Sequence, residues 1–272
     1  MSEYVGVASA GPSAAFFDLD RTLISGSSAF TLATQARKAG LIPNLDFARD
    51  ATGAIAFKLF GASDDTTDAV RERILSAVTG MRQSDLQALN SEVLPRLLAK
   101  LRPEARRLID RHSRMGRATY IVSAAPQEIV EPLAHSLGMT SGLGTRSVVE
   151  DGVYTGELDG PFCYGPGKVE AIEELAKWSG YELGQCYAYS DSASDLPMLE
   201  AVGHPVAVNP DGKLERHARR NGWPIVIFSQ RTKSVIRRTA AGAATVGVAG
   251  AGFVAGTRFG IATSRGRGRR RR

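Results

Sequence analysis

Short apolar runs that alternate with helical patterning restrict the fold of this chain more than any other feature. Residues 14–17 form such a run, ending in acids and leading into Thr22 and a glycine- and serine-rich stretch at 25–28. Further runs lie at 118–122, 186–189, 205–208 and 225–228. Runs of this length bounded by turn residues are buried strands. Between the later ones lie a helix opened by Pro126, a helix over 167–178, one over 196–202 and one near 211–220. Strands alternating with helices make a parallel, doubly wound α/β sheet.

One interruption stands out. From residue 30 to about 101 the apolar spacing is three and four, in Ala69-Val70, Ile74-Leu75 and Val78, and again in Leu86, Leu89, Val93 and Leu97. No strand pattern occurs there, so this stretch reads as a helical cap inserted after the first strand. A helix from Arg102-Pro103 to Met115 brings the chain back to the sheet, and residues 152–160, with Val153-Tyr154-Thr155, read as a small hairpin. The expected division is a catalytic core of 14–24 and 102–230, a cap of 25–101, and a tail of 237–272. No internal repeat is evident.

Composition narrows the class. Of 272 residues 43% are apolar and 23% charged, which is the balance of a folded protein. The net charge of +6 is concentrated in the last eight residues, which carry six arginines and no acid. Residues 1–264 hold 28 basic and 28 acidic groups, so the body is neutral and no specific nucleic-acid face is expected. Two cysteines, Cys163 and Cys186, exclude a disulfide scaffold, and the first twenty residues lack a basic start and an apolar run, so a cytoplasmic location is expected.

The stretch 239–257 is uncharged, rich in Ala and Gly, and carries Gly252 and Gly256 four apart, with Gly260 next in the series. Its length and spacing suit a membrane segment, yet it contains no Leu or Ile. A flexible linker or a surface-lying segment is the alternative. The arginine block beside it suits anionic lipid headgroups, RNA bound without specificity, or plain solvation. Contact with an anionic membrane is the sharper of these expectations.

Ligands of a doubly wound sheet bind at the carboxyl ends of its strands. Asp18 and Asp20 follow the first strand, Ser123 the second, and Asp191 with Asp195 the third, while Lys168 begins the helix between the last two. One such Asp is usually a cap or turn residue. Four acids, a hydroxyl and a lysine at successive strand ends make a coherent chemistry instead. If the strand stays extended, Asp18 and Asp20 share a face. Carboxylates with Asp191 make a hard oxygen site suited to Mg²⁺, which would offset their repulsion of a phosphate dianion. One carboxylate could then attack phosphorus, and the other could protonate the leaving oxygen and later activate water. Ser123 and nearby amides would hold phosphate oxygens, and Lys168 would neutralise the growing charge.

The string Asp18-Leu19-Asp20-Arg21-Thr22 resembles the DxDx[TV] signature of the haloacid dehalogenase superfamily of phosphohydrolases. Val122-Ser123-Ala124 is similar to its second motif, Lys168 to its third, and residues 190–195 to its fourth, in the same order over residues 14 to about 228. The helical insertion is similar to the cap of the phosphoserine-phosphatase-like branch. The resemblance implies a Rossmann-like core and a Mg²⁺-dependent phosphomonoesterase acting on a small phosphate ester. It implies an aspartyl-phosphate on Asp18 and acid/base work by Asp20. Mg²⁺ would be held by the Asp18 and Asp191 carboxylates with the Asp20 carbonyl. Ser123 and Ala124 would bind phosphate, and Asp195 would orient Lys168 or a metal-bound water. A second carboxylate at Asp20 fits ester hydrolysis rather than dehalogenation.

The chain departs from phosphoserine phosphatases at three places. Ser27 stands where their first loop carries an amine-recognising glutamate, Ala124-Ala125 replaces a glycine pair, and Ser194 replaces an asparagine. These changes leave the phosphate chemistry intact and weaken amino-acid recognition. A phospholipid-related phosphate, lysophosphatidate or phosphatidylglycerophosphate, is therefore the alternative substrate. A membrane-anchored binding module without activity is the reading from another class, and it is opposed by the complete set of catalytic groups.

Other signals carry less. The stretch 165–168 lacks the first glycine and the Ser/Thr of a P-loop. His112, His135, His204 and His217 are scattered without a zinc or hydrolase motif, and the predicted helices put His135 and His217 on solvated faces. Arg71 and Arg73 in the cap read as surface ion pairs. Trp178 and Trp223 read as packing at a helix end and a strand start.

Overall fold

A computed structural model of the chain describes residues 12–41 and 67–228. Six parallel strands form the main sheet in the order β3-β2-β1-β6-β7-β8: β1 (Ala14–Asp18), β2 (Ala118–Pro126), β3 (Ser141–Thr145), β6 (Tyr187–Ser190), β7 (His204–Val208) and β8 (Ile225–Val226). Strand β1 is central and buried throughout, as a run without polar groups before its last residue must be. Its two phenylalanines point to opposite faces. Phe17 belongs to one core with Ile109, Ile121 and Leu133, and Phe16 to the other with Tyr120, Ile172, Met198 and Leu214.

The helices cover both faces. Among the described residues of the insertion are α1 (Ser28–Lys38), α2 (Thr67–Val78), α3 (Gln83–Ala88) and α4 (Asn90–Leu98), with no strand. Then come α5 (Pro103–Arg114), α6 (Gln127–Ser136), α7 (Pro166–Ser179), α8 (Leu196–Glu200) and α9 (Gly212–Arg220). Helix α5 opens on Pro103 at a position whose amide has no helical partner to lose. The hairpin of β4 (Ser147–Glu150) and β5 (Val153–Leu158) hydrogen-bonds with the segment between α2 and α3, through the amides of Gly80, Gln83 and Tyr154.

Register positions the site. Asp18 pairs with Val122, and Phe17 with Tyr189. Strands β1 and β6 therefore end at one level, beside Val122-Ser123 within the longer β2, so that Asp18, Ser123 and Ser190-Asp191 lie side by side.

Strand β3 is absent from the sequence reading. Its residues, SGLGT, hold one large apolar side chain and give no strand signal. Its glycines serve packing instead. A Cβ on Gly142 would lie 2.7 Å from the Val130 carbonyl oxygen, and one on Gly144 would lie 2.8 Å from the Gln127 Cα, so both let α6 lie close on the sheet edge. Trp178 corrects the packing expected for it, because it is 83% exposed at the end of α7. Trp223 does pack, with its ring 4.8 Å from His217. Other boundaries shift by a few residues; α8 stops at Glu200 and β8 at Val226. No described helix is long and apolar enough to cross a membrane, and the stretch 239–257 with the arginine tail lies outside the described residues.

Gly142→Ala is expected to cost about 1–3 kcal/mol, since backbone atoms of α6 cannot yield to the added carbon. The midpoint of urea unfolding measures it.

Candidate active site

The site grows from the end of β1. Asp18 is the last strand residue, and beyond it the chain turns, so that Asp20 is not on a continued strand face as the extended reading supposed. Asp20 is instead held by the start of α1. Its Oδ1 accepts from the Ser28 amide at 2.7 Å, and Ser27 caps the same helix by accepting from the Phe30 amide at 3.2 Å. The helix end thus favours a carboxylate at Asp20, while desolvation, the larger effect, raises its pKa.

Within β2, just past its ladder with β1, the Ser123 Oγ accepts from the Ala125 amide at 3.3 Å, which leaves its own proton free to be donated. Ala124 follows it in the same strand.

Lys168 arrives from the other side. A Cβ on Gly167 would sit 1.8 Å from the Phe162 carbonyl oxygen, so the start of α7 closes only around a glycine. That closure delivers a lysine 2% exposed to the sheet edge. Its Nζ donates to Asp18 Oδ1 at 2.7 Å and to Asp195 Oδ2 at 2.8 Å. Asp195 Oδ2 also accepts from the Ser190 hydroxyl at 2.7 Å. Burial by itself would lower the Lys168 pKa, but the two carboxylates hold it above the ordinary lysine range.

The structure therefore gathers Asp18, Asp20, Lys168, Asp191 and Asp195 at one edge of the sheet, with Ser123 and Ala124 beside them. Three participants were missed. Ser190 supports Asp195. Arg21 places its Nε 2.9 Å from Asp191 Oδ2. Asp211 bonds the Asp191 carbonyl through its amide at 2.8 Å and accepts from the Ala193 amide at 2.8 Å. Asp211 also caps α9, accepting from the Leu214 amide, and that cap pattern could have singled it out. Arg21 and Ser190 left no local signal beyond adjacency to the acids. His112 is the buried histidine. It meets the Tyr189 hydroxyl at 2.8 Å beneath the strands rather than at the site, while His135 is exposed and His217 is partly exposed.

The charges do not balance. Four carboxylates face Lys168 and the half-exposed Arg21. Burial pushes Asp18 up to about 8, with Lys168 opposing and Asp195 and Asp191 adding to the rise. Burial likewise pushes Asp191 up to about 7, with Arg21 opposing and Asp195 adding. Among the described residues no three acidic, histidine or cysteine side chains converge on one point. The Asp18 and Asp191 carboxylates are nonetheless a donor pair short of positive charge, and a hard dication fits that deficit.

Known proteins agree with this architecture. The family model for haloacid dehalogenase-like hydrolases matches residues 15–200. The chain is 42% identical to a protein named probable phosphatase Rv3661 of Mycobacterium tuberculosis, over 83% of this chain and 78% of that one. It is 36% identical to phosphoserine phosphatase SerB1 of the same organism, over 89% and 79%. It is 31% identical to a histidinol-phosphatase of Neisseria meningitidis, over 79% and 98%. Among solved structures, a protein of unknown function from Bordetella pertussis superposes with a TM-score of 0.70 at 26% identity, over 79% of this chain and 98% of that one.

Metal-free protein should lose stability as pH rises from 7 to 8.5. Unfolded aspartates titrate near 3.8, so folded Asp18 and Asp191 keep protons that the unfolded chain has already released. Stability present below 3.8 is then lost progressively as pH rises above it, and the loss levels off once pH passes about 7 for Asp191 and about 8 for Asp18. His112, which burial lowers to about 4, contributes little above pH 7. Urea midpoints in EDTA should fall across this window, and fall less in Asp18→Asn; a rising midpoint would contradict the protonation of Asp18 and Asp191 in the folded state.

Proposed function

The chain belongs to the haloacid dehalogenase-like hydrolases and is a phosphatase, and from that premise we propose a Mg²⁺-dependent phosphomonoesterase that works through an aspartyl-phosphate on Asp18. The observation that carries the reading is the buried contact of Lys168 with Asp18. Lys168 occupies one Asp18 oxygen, so the other is the one available to attack. Asp18 attacks phosphorus as the bond to the ester oxygen breaks, and Asp20 donates a proton to that oxygen. In the second half Asp20 takes a proton from water, the water attacks phosphorus, and the Asp18 carboxylate is released. The raised pKa of Asp20 suits a group that must first hold a proton.

Ser123 and the Ala124 backbone would bind phosphate oxygens, and Lys168, oriented by Asp195 as a positioning residue, would stabilise the charge growing on them. Asp18 and Asp191, with the Asp20 carbonyl, would hold Mg²⁺, which when bound offsets the repulsion between carboxylates and the phosphate dianion.

Residues 25–101 would act as a cap over the core of 14–24 and 102–230. The hairpin β4–β5, hydrogen-bonded to residues 80–83, would extend it. The substrate would be a small phosphate ester. Phosphoserine and histidinol phosphate, the substrates named for two relatives, both carry an amine on the carbon next to the phosphorylated one. That shared feature makes 2-aminoalkyl phosphates the first class to try.

Phosphate release by the full chain tests the reading, with phosphoserine, histidinol phosphate and lysophosphatidate offered with Mg²⁺ and with EDTA. Release should require Mg²⁺. Asp18→Asn should lower it by at least about 10³-fold, and Asp20→Asn by about 10²–10⁴-fold. Activity that survives both EDTA and Asp18→Asn would overturn the mechanism, and a preference for lysophosphatidate would move the substrate to lipids.

A further inference from the structure

Arg21 takes no part in the chemistry above, yet its placement is costly. It stands between Asp20 and Thr22 with a backbone φ of 62°, a left-handed conformation that glycine adopts freely and long side chains avoid. Its amide donates to the Gly26 carbonyl at 3.1 Å and fixes the turn. From that turn the guanidinium Nε reaches Asp191 Oδ2 at 2.9 Å. Lys168 is engaged with Asp18 and Asp195, so it does not serve as the hydrogen-bonded counter-ion of Asp191.

The two partners are unequal. The Asp191 side chain is 7% exposed, whereas that of Arg21 is 56% exposed. A buried carboxylate without a counter-ion is strongly unfavourable. An exposed arginine can return to water at little cost, since its surface ion pair is worth little by itself. One carboxylate is thus held by a cation that is free to leave.

We propose that Arg21 is the placeholder cation of this site. It holds the Asp191 carboxylate in place while no divalent ion is bound, and must release Asp191 for the ion to enter, so it sets how tightly the ion binds. The inference rests on the reading of Asp191 as a Mg²⁺ ligand. Competition of this kind weakens apparent affinity by the fraction of molecules in which the site is open; occupancy of Asp191 by Arg21 in about nine molecules of ten makes binding about tenfold weaker. Removing the guanidinium also removes a like charge that repels the incoming ion.

The test is calorimetric titration of Mg²⁺ into the metal-stripped full chain, for the wild type, R21Q and R21K, with melting temperatures in EDTA and in saturating Mg²⁺. R21Q should bind Mg²⁺ about three- to tenfold more tightly. It should also melt below the wild type in EDTA and level with it in saturating Mg²⁺. R21K, which keeps the charge, should stay within about twofold of the wild type. Equal or weaker Mg²⁺ binding by R21Q would overturn the placeholder role, as would equal melting in EDTA or tightening by R21K as large as that by R21Q. A wild type that takes up no Mg²⁺ would bring down the metal reading and this inference with it, whereas uptake indifferent to R21Q removes the inference alone.

Discussion

An excess of buried negative charge at one edge of the sheet is the constraint to which the rest of the structure answers. Asp18, Asp191 and Asp195 are each less than a tenth exposed, and a single buried ammonium, that of Lys168, stands among them. Uncompensated charges of this kind cost several kcal/mol apiece. Their presence therefore requires groups that hold them. The sheet register brings the carboxylates level, the glycine at 167 lets α7 approach closely enough to insert Lys168, and Ser190 adds a hydrogen bond to Asp195. The remaining deficit distinguishes this edge from a finished salt-bridge network, and it is the feature on which the proposed dication and phosphate site rests.

The acid/base candidate is held differently. Asp20 lies past the strand, and its carboxylate is anchored by the first amide of α1, the helix that opens the inserted segment. The start of the insertion and the carboxylate assigned to proton transfer are therefore one mechanical unit. A shift of α1 would move Asp20 relative to Asp18, which remains fixed in the central strand. Catalytic groups held by separate elements can be brought into alignment by motion of one element. Ser27 sits in the same turn, as the cap of α1.

Much of this was legible in the sequence because it is local. Strands β1, β2, β6 and β7 announce themselves as apolar runs, and the acids sit at their ends within one or two residues. What escaped depends on contacts distant in sequence. Strand β3 is written in glycines whose reason is the approach of α6, visible only once Val130 and Gln127 are in place. Arg21 meets Asp191 across the sheet edge, and nothing within either motif predicts the pair. The extended reading of residues 18–20 failed because a hydrogen bond from the Ser28 amide to Asp20 competes with strand continuation. Trp178 misled for the opposite reason: aromatic residues usually pack, and this one ends a helix on the side facing water.

Beneath the charged edge the packing is stiff. Phe17 precedes Asp18 and Tyr189 precedes Ser190, and their rings stack at 4.6 Å with an interplanar angle of 6°. The Tyr189 hydroxyl is tied in turn to buried His112 at 2.8 Å, and the Phe17 ring meets the His112 ring edge-on at 5.9 Å. The residues directly below the proposed nucleophile and below Ser190 are thus locked to each other and to α5. A phosphoryl-transfer site gains most from donors and acceptors that need not reorganise during reaction. Here that rigidity is supplied by aromatic packing one residue below the chemistry, where no charge has to be buried. Above that plane, the half-exposed Arg21 and the helix that holds Asp20 lie outside this aromatic lock. Under the proposed mechanism, reaction chemistry would be carried by the strand ends and substrate choice by the loop and insertion that follow β1.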